Sequence, residues 1–401
     1  GTALVDGPHH PSFWRAWARA ALAAGTTLRP EATTAVVQRA ERLRVTTGEQ
    51  SNTSVILPAP SGAADAAGAE DAATEGLIIK LFRVLAPGRN PDVEVSVALA
   101  RDGWDQVSSP VAWSTLSFPD PVSWPTSDGA TAHGFYYPPT SASHVGGEGE
   151  LPPLIVNVHG GPTATAVPGY DLRIQYWTSR GFAYLDVNYR GSMGYGTGYR
   201  KALEGKWGIY DVDDCVSGAQ HLVDAGLVDP RRLAIRGGSA GGFTVLSAIT
   251  RSTVFTAASS CFGVTDLKRL VRTTHKFESH YIGQLMGTQD IDDPVLDERS
   301  PINHIEDIGV PLLLIQGSED PIVPPEQATA MYEALKTAGA PVALEIFQGE
   351  GHGFRLATNI RRRYEAELSF YRQVWSIGSS CSEAEQRGEE DTFMVKVENL
   401  R

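Results

Sequence analysis

From residue 154 onward the chain alternates short, unbroken apolar runs with longer stretches in which apolar positions recur every three or four residues. The runs Leu154–Val158, Phe182–Val187, Leu233–Ile235, Phe255–Cys261, Val310–Ile315 and Val342–Phe347 predict strands buried on both faces, as in a mostly parallel sheet. Between and after them, Asp211–Ala225, Phe243–Ile249, Pro325–Thr337 and Ile360–Trp375 predict helices, the last with Tyr364, Leu368, Tyr371 and Trp375 on one side. Strand, loop and helix in alternation is the grammar of an α/β domain. Upstream the grammar differs. Gly76–Phe82, Val93–Ala100, Val111–Phe118 and Ala130–Tyr137 are short, β-branched and separated by Pro, Gly, Asn and Asp, which predicts small antiparallel strands. Pro11–Gly25 places Phe13, Trp14, Trp17, Ala21 and Leu22 at helical spacing, whereas Glu31–Arg44 fits helix and strand alike.

Two stretches lack the means to pack. Pro58–Gly76 holds no large apolar residue and predicts a mobile linker, and Gly378–Asp391 predicts a loose polar tail. The organisation expected is therefore a partial, irregular or propeller-like region over 1–117, with its linker at 58–76, then a catalytic domain over 118–376 and a polar tail over 377–401. With 401 residues, 42% of them hydrophobic, the chain suffices for two domains. A net charge of −13 opposes nucleic-acid binding, which needs basic surface to displace counterions. No apolar run approaches the roughly 20 residues of a membrane helix, and the first residues lack the basic and apolar segments of a secretion signal, so no membrane partner is expected and the cytoplasm is the expected location. Three scattered cysteines, Cys215, Cys261 and Cys381, suit neither a disulfide framework nor a zinc site. No metal or cofactor is expected.

The chemistry centres on Arg232–Ala248, where Gly237, Ser239 and Gly241 form Gly-x-Ser-x-Gly between an apolar strand and a helix. That setting predicts a nucleophile elbow, a turn so tight that side chains beside the serine would collide with the strand and helix. It also aims the Ala240 N–H, at a helix N-terminus, where an oxyanion would form. A serine hydroxyl needs a histidine to take its proton and a carboxylate to orient that histidine. Asp320 follows the strand Val310–Ile315 and His352 follows Val342–Phe347, both at strand carboxyl ends, where open α/β sheets place their sites. The chain order Ser, Asp, His is that of the α/β-hydrolases. Glu319, Asp292, Asp293 and Asp307 read as solvated loop carboxylates, and His221, His275, His280 and His304 as ordinary surface or core histidines. The loop His159-Gly160-Gly161-Pro162 after Leu154–Val158 should give the second oxyanion donor, Gly161 N–H, with Gly160 as the alternative. No Lys-Ser/Thr follows it, and Gly191–Gly198 does not match the dinucleotide fingerprint, so neither loop predicts a nucleotide site.

Residues 118–376 resemble the catalytic domain of the prolyl oligopeptidase family of serine peptidases, nearest its acylaminoacyl peptidase and dipeptidyl peptidase-like branch. The resemblance rests on His-Gly-Gly-Pro at 159, Asn-Tyr-Arg-Gly-Ser-Met-Gly-Tyr-Gly at 188, Gly-Gly-Ser-Ala-Gly-Gly at 237, His-Lys-Phe-Glu-Ser at 275, Gly-Ser-Glu-Asp-Pro-Ile-Val-Pro at 317 and Gly-Glu-Gly-His-Gly-Phe-Arg at 349. It implies an α/β-hydrolase fold and hydrolysis of peptide or acyl-amino bonds in short peptides. It also implies that Thr274–Tyr281 forms the substrate pocket, with Phe277 and Tyr281 lining it. Prolyl oligopeptidases and dipeptidyl peptidases carry an oxyanion-binding tyrosine where His159 stands, so here the donor must be backbone. The family's β-propeller has about seven blades of roughly 40–50 residues each, and the first 117 positions hold two or three at most, with no visible repeat. Such a fragment leaves strand edges unpaired, which predicts either an open, less selective site or a covering partner, such as a second copy in a homo-oligomer. The elbow and triad serve esters and amides alike, so a carboxylesterase or lipase stays open, and so does a non-catalytic binding protein on the same fold.

Overall fold

A computed structural model describes residues 44–46, 52–57, 77–82, 116–141, 146–147, 149–169, 171–273, 276–377 and 394–400, with backbone alone in the first three segments and at 276–279. Two compact units divide the chain, Gly1–Asn90 and Pro91–Arg401. In the first, β1 (Arg44–Thr46), β2 (Asn52–Leu57) and β3 (Leu77–Phe82) form an antiparallel sheet in that order, with Asn52 opposite Phe82 and Leu57 opposite Leu77. The helix expected over Pro11–Gly25, the linker at 58–76, the strand Val93–Ala100 and the stretch Gly378–Asp391 lie outside the described residues. Of Glu31–Arg44 only Arg44 is described, and it opens β1.

The second unit runs β4 (Asp120–Pro125), β5 (Thr131–Tyr137), β6 (Leu154–Val158), α1 (Leu172–Thr178), β7 (Ala183–Asn188), α2 (Thr197–Lys201), α3 (Tyr210–Asp224), β8 (Leu233–Gly238), α4 (Ala240–Arg251), β9 (Ala257–Cys261). It continues with α5 (Leu267–Thr273), α6 (Lys276–Met286), α7 (Pro294–Glu298), β10 (Leu312–Gly317), α8 (Pro325–Ala338), β11 (Val342–Phe347) and α9 (Ala357–Val374). One eight-stranded sheet results, in the order β11-β10-β9-β8-β6-β7-β5-β4, parallel from β11 to β7 and antiparallel at β5 and β4. This is the α/β-hydrolase fold. The central strands read as unbroken apolar runs because both faces are covered. Leu154, Val156, Ile235, Leu312 and Leu314 pack under α3, α4 and α8, while the alternate residues Ile155, Ala234, Leu313 and Ile315 pack under α1 and α9. The sequence pattern missed β4, whose Pro121 and Pro125 argue against a strand; as the sheet edge it can accept residues that lack an N–H. The strand expected over Val111–Phe118 is not found in its described part, since Ser117 and Phe118 precede β4 as irregular chain.

The elbow strand is bolted to the last helix by a buried ion pair. Arg236 of β8 donates through Nε and Nη2 to the two oxygens of Glu367 of α9, at 3.0 and 2.9 Å, and through Nη1 to Asn157 Oδ1 at 3.0 Å. Burial alone would raise the Glu367 carboxyl, but Arg236 and Arg363 outweigh it and hold it below the ordinary range. Removing one partner strands the other charge away from water. Glu367→Ala is therefore expected to lower the unfolding free energy of this unit by about 3–5 kcal/mol, read from urea denaturation. A loss under about 1 kcal/mol would mean that Arg236 finds other partners.

At the far edge of the sheet, residues 394–400 return to cover β11. Val342 and Glu398 exchange N–H···O bonds of 3.1 and 2.8 Å, Asn399 caps the carbonyls of Lys336 and Ala340, and Val395 is buried. The polar stretch that precedes it in the sequence hides this docking. Val395 and, partly buried, Val397 anchor it on the core beneath α9.

Candidate active site

Ser239 sits between the last residue of β8 and the first of α4, with φ 56° and ψ −123°. That conformation is costly for a residue with a Cβ, and it projects the hydroxyl away from both elements. The turn is tight enough that a Cβ on Gly241 would run into the carbonyls of Val158 and His159, at the end of β6. Glycine at 241 thus lets α4 rise directly against the neighbouring strand.

His352 connects the serine to a buried acid. Its Nε2 lies 2.9 Å from Ser239 Oγ and its Nδ1 lies 2.8 Å from Asp320 Oδ2. Asp320 is fixed from several sides: Oδ1 accepts the N–H groups of Ile322 and Val323, at 2.9 and 3.0 Å, and Oδ2 also accepts Gln316 Nε2 at 3.3 Å. Burial pushes this carboxyl upward, yet the hydrogen bond and charge of His352 and the two backbone donors prevail and hold it below the ordinary carboxylate range. The neighbouring Glu319 is exposed, its N–H given to the Glu350 carbonyl at 2.9 Å. Burial therefore separates Asp320 from its neighbour.

The loop after β6 closes the third side. A Cβ placed on Gly160 would stand 3.5 Å from Ser239 Cβ, so this backbone lies directly against Ser239, and Gly161 follows at φ +120°, a conformation that favours glycine. Among the described residues neither Gly160 nor Gly161 gives its N–H to a protein acceptor. Ala240, the first residue of α4, has no acceptor within its helix. All four elements deliver these groups at strand carboxyl ends around β6 and β8, where the chain leaves β6 for β7 on one side and returns to β8 on the other.

Residues 168–377, more than half of the chain, match the model of the prolyl oligopeptidase family. The chain belongs to this family. It is 33% identical over 247 residues to dipeptidyl aminopeptidase BIII of Pseudoxanthomonas mexicana, covering 60% of this chain and 36% of that protein. It is 32% identical over 215 residues to the acylamino-acid-releasing enzyme of Arabidopsis thaliana, covering 51% and 28%. Among solved structures, a Mycobacterium tuberculosis puromycin-hydrolyzing peptidase superposes with TM-score 0.66 at 38% identity, covering 81% of this chain and 46% of that one. The Pyrococcus horikoshii acylaminoacyl peptidase superposes with TM-score 0.59 at 27% identity, covering 64% and 42%. The chain thus spans less than half the length of each of these proteins.

The ring of His159 is engaged away from the elbow. Nδ1 lies 2.9 Å from the Gly160 carbonyl, Nε2 lies 2.7 Å from Ser192 Oγ, and the ring stacks on Tyr189 with centroids 4.4 Å apart. Burial, opposed only by the Gly160 carbonyl, lowers its pKa to about 4, so the ring is neutral near pH 7. Tyr281 of α6 reaches the same loop: its hydroxyl is 3.0 Å from Thr163 Oγ1, two residues beyond Gly161. Phe277 lies in α6, and its side chain is outside the described residues.

The remaining acids and histidines are spoken for or exposed. Asp293 caps α7, Asp307 lies 3.5 Å from His304, His221 stacks with Trp124, and His280 is exposed; His275 is outside the described residues. Two supporting residues are given no role by the motifs, Glu350 even though it stands in the one that carries His352. Phe262 follows β9 at φ 40° and sets its ring 4.8 Å from that of His352. Glu350, buried in the histidine loop, accepts Arg355 N, Leu356 N and Asn359 Nδ2 at 2.8–3.0 Å and so pins both ends of the turn that carries His352. The position of Phe262 at a strand carboxyl end was its one available signal. Among the described residues no cluster of His, Cys, Asp and Glu could hold a metal, and no helix is long and apolar enough to cross a membrane.

Proposed function

We propose that residues 118–376 form the catalytic domain of a serine peptidase that cleaves peptide or acyl-amino bonds of short peptides. The observation that carries this is His352, hydrogen-bonded at once to Ser239 and to buried Asp320 in a member of a peptidase family. In this reading Ser239 Oγ attacks the scissile carbonyl as its proton passes to His352 Nε2, and Asp320 holds the imidazole with its Nδ1 proton inward and stabilises the imidazolium. The oxyanion of the tetrahedral intermediate takes the Ala240 and Gly161 N–H groups, with Gly160 as the alternative to the latter. His352 then protonates the leaving amine, and water, activated by the same histidine, hydrolyses the acyl-enzyme. No step calls for a metal or cofactor. Tyr281 and Phe277 are assigned to the wall of the substrate pocket. A reducing cytosol suits a chain whose Cys215 and Cys261 are free, buried thiols.

The relatives are named as a dipeptidyl aminopeptidase, an acylamino-acid-releasing enzyme and a puromycin-hydrolyzing peptidase, and these names set the substrates to try. Labelling by a fluorophosphonate, lost in Ser239→Ala, is the expected sign of an active nucleophile. A panel of acyl-amino-acid anilides, dipeptidyl anilides, puromycin and short acyl esters is expected to show amide turnover. Turnover of the esters alone would identify a carboxylesterase, and folded protein that takes no label would identify a binding protein.

A further inference from the structure

The segment Asn188-Tyr189-Arg190-Gly191-Ser192-Met193 contributes nothing to the nucleophile, base or acid, yet four of its side chains, Asn188, Tyr189, Arg190 and Ser192, are almost wholly buried. It lies along the loop 159–166 and holds it at successive points. Tyr189, fully buried, brings its hydroxyl to 2.8 Å from the Pro162 carbonyl and 3.1 Å from that of His159. These two carbonyls bracket Gly160 and Gly161. Ser192 Oγ lies within hydrogen-bond distance of the His159 ring, and Met193 N–H donates to the Ala164 carbonyl at 3.0 Å. Asn188, 1% exposed, closes the far end, accepting Ala166 N and Thr165 Oγ1 at 2.7 and 3.0 Å and donating to the Ala166 carbonyl at 3.0 Å.

Arg190, between these contacts, ties the segment to the body of the domain. Its backbone N–H and Nε bind Asp214 at 2.6 and 2.9 Å, Nη1 binds Asp128 at 2.7 Å and Nη2 binds Asp213 at 3.1 Å. A glycine-rich loop has little conformational preference of its own, and an oxyanion donor is effective only when its N–H is fixed before the charge forms. The rigid partner of this loop is the 188–193 segment.

We propose that Tyr189, assisted by Asn188 and Ser192, is a positioning residue for the oxyanion hole, which sets the direction of the Gly160 and Gly161 N–H groups through the carbonyls on either side. The proposal rests on the serine-peptidase reading above. Tyr189→Phe keeps the ring stacked on His159 and removes only the hydroxyl; Ser192→Ala is the milder second variant. The full chain is assayed on an acyl-amino-acid anilide, with rates normalised to fluorophosphonate-titrated sites so that only folded, competent protein counts, and each variant is titrated with a peptide aldehyde. In the adduct Ser239 Oγ bonds to the aldehyde carbon as the carbonyl π bond opens, the serine proton is held on His352 Nε2, and the former carbonyl oxygen occupies the oxyanion position as the anion. Tyr189→Phe is expected to lower kcat roughly 10- to 100-fold with KM within about twofold, and to weaken the aldehyde by the same factor as kcat/KM. Ser192→Ala is expected to show the same pairing of losses on a smaller scale, two- to tenfold by rough expectation for a single supporting contact. Aldehyde affinity that stays at the wild-type value while kcat falls would overturn the proposal, as would wild-type constants per titrated site in both variants. A wild-type protein that neither takes the label nor turns over any amide would instead defeat the peptidase reading itself.

Discussion

Ser239→Ala is expected to abolish all but a residue of amide turnover, lowering kcat by about 10⁴-fold or more with KM little changed. The loss is large because the step is covalent: with no Oγ there is no acyl-enzyme, and only the oxyanion donors and binding remain. The alanine keeps the Cβ, so the elbow remains in the same conformation and the fold is unaffected. Steady-state hydrolysis of an acyl-amino-acid anilide, with circular dichroism confirming the folded state, measures it. A variant that retains more than about a hundredth of the wild-type kcat would move the nucleophile elsewhere.

Asp320→Asn is expected to cost nearly as much, on the order of 10⁴ in kcat, while leaving the protein folded. The asparagine oxygen can still accept the Ile322 and Val323 N–H groups that now bind Oδ1. Its NH₂ must then face His352 Nδ1 and Gln316 Nε2, which bind Oδ2 in the native protein. His352 answers by carrying its proton on Nε2, so it offers Ser239 a donor where a base is required. The exposed neighbour Glu319 supplies a control, because Glu319→Gln should leave kcat within about twofold. Equal losses at 319 and 320 would refute the assignment of the acid.

The central sheet was legible because a strand covered on both faces has to be apolar at every position, as in Leu154–Val158 and Val342–Phe347. Ser239, Asp320 and His352 were legible together because each follows such a strand and the fold converges strand ends, so one-dimensional order carried three-dimensional proximity. Strand boundaries drifted by one to three residues where polar residues or glycines belong to the ladder, as Gln316 and Gly317 do in β10 and Arg236, Gly237 and Gly238 do in β8. The short helices α1, α2, α5, α6 and α7 escaped because five to eleven residues give too few turns for a clear period. Contacts such as Arg236 with Glu367, 131 residues apart, have no local signature at all. They depend on tertiary packing that no window of sequence contains.

The positive φ of Ser239 sets two requirements against each other. Glycine at 239 would relax the turn by about 1–3 kcal/mol and make the domain more stable, and it would end the chemistry. Random mutagenesis scored only by thermal resistance should therefore drift toward the loss of its own nucleophile, whereas any lineage kept for turnover must carry that strain permanently and find its stability at sites remote from the elbow. In the peptidase reading, the tension at this one peptide unit is the stability that a working nucleophile withholds from the fold.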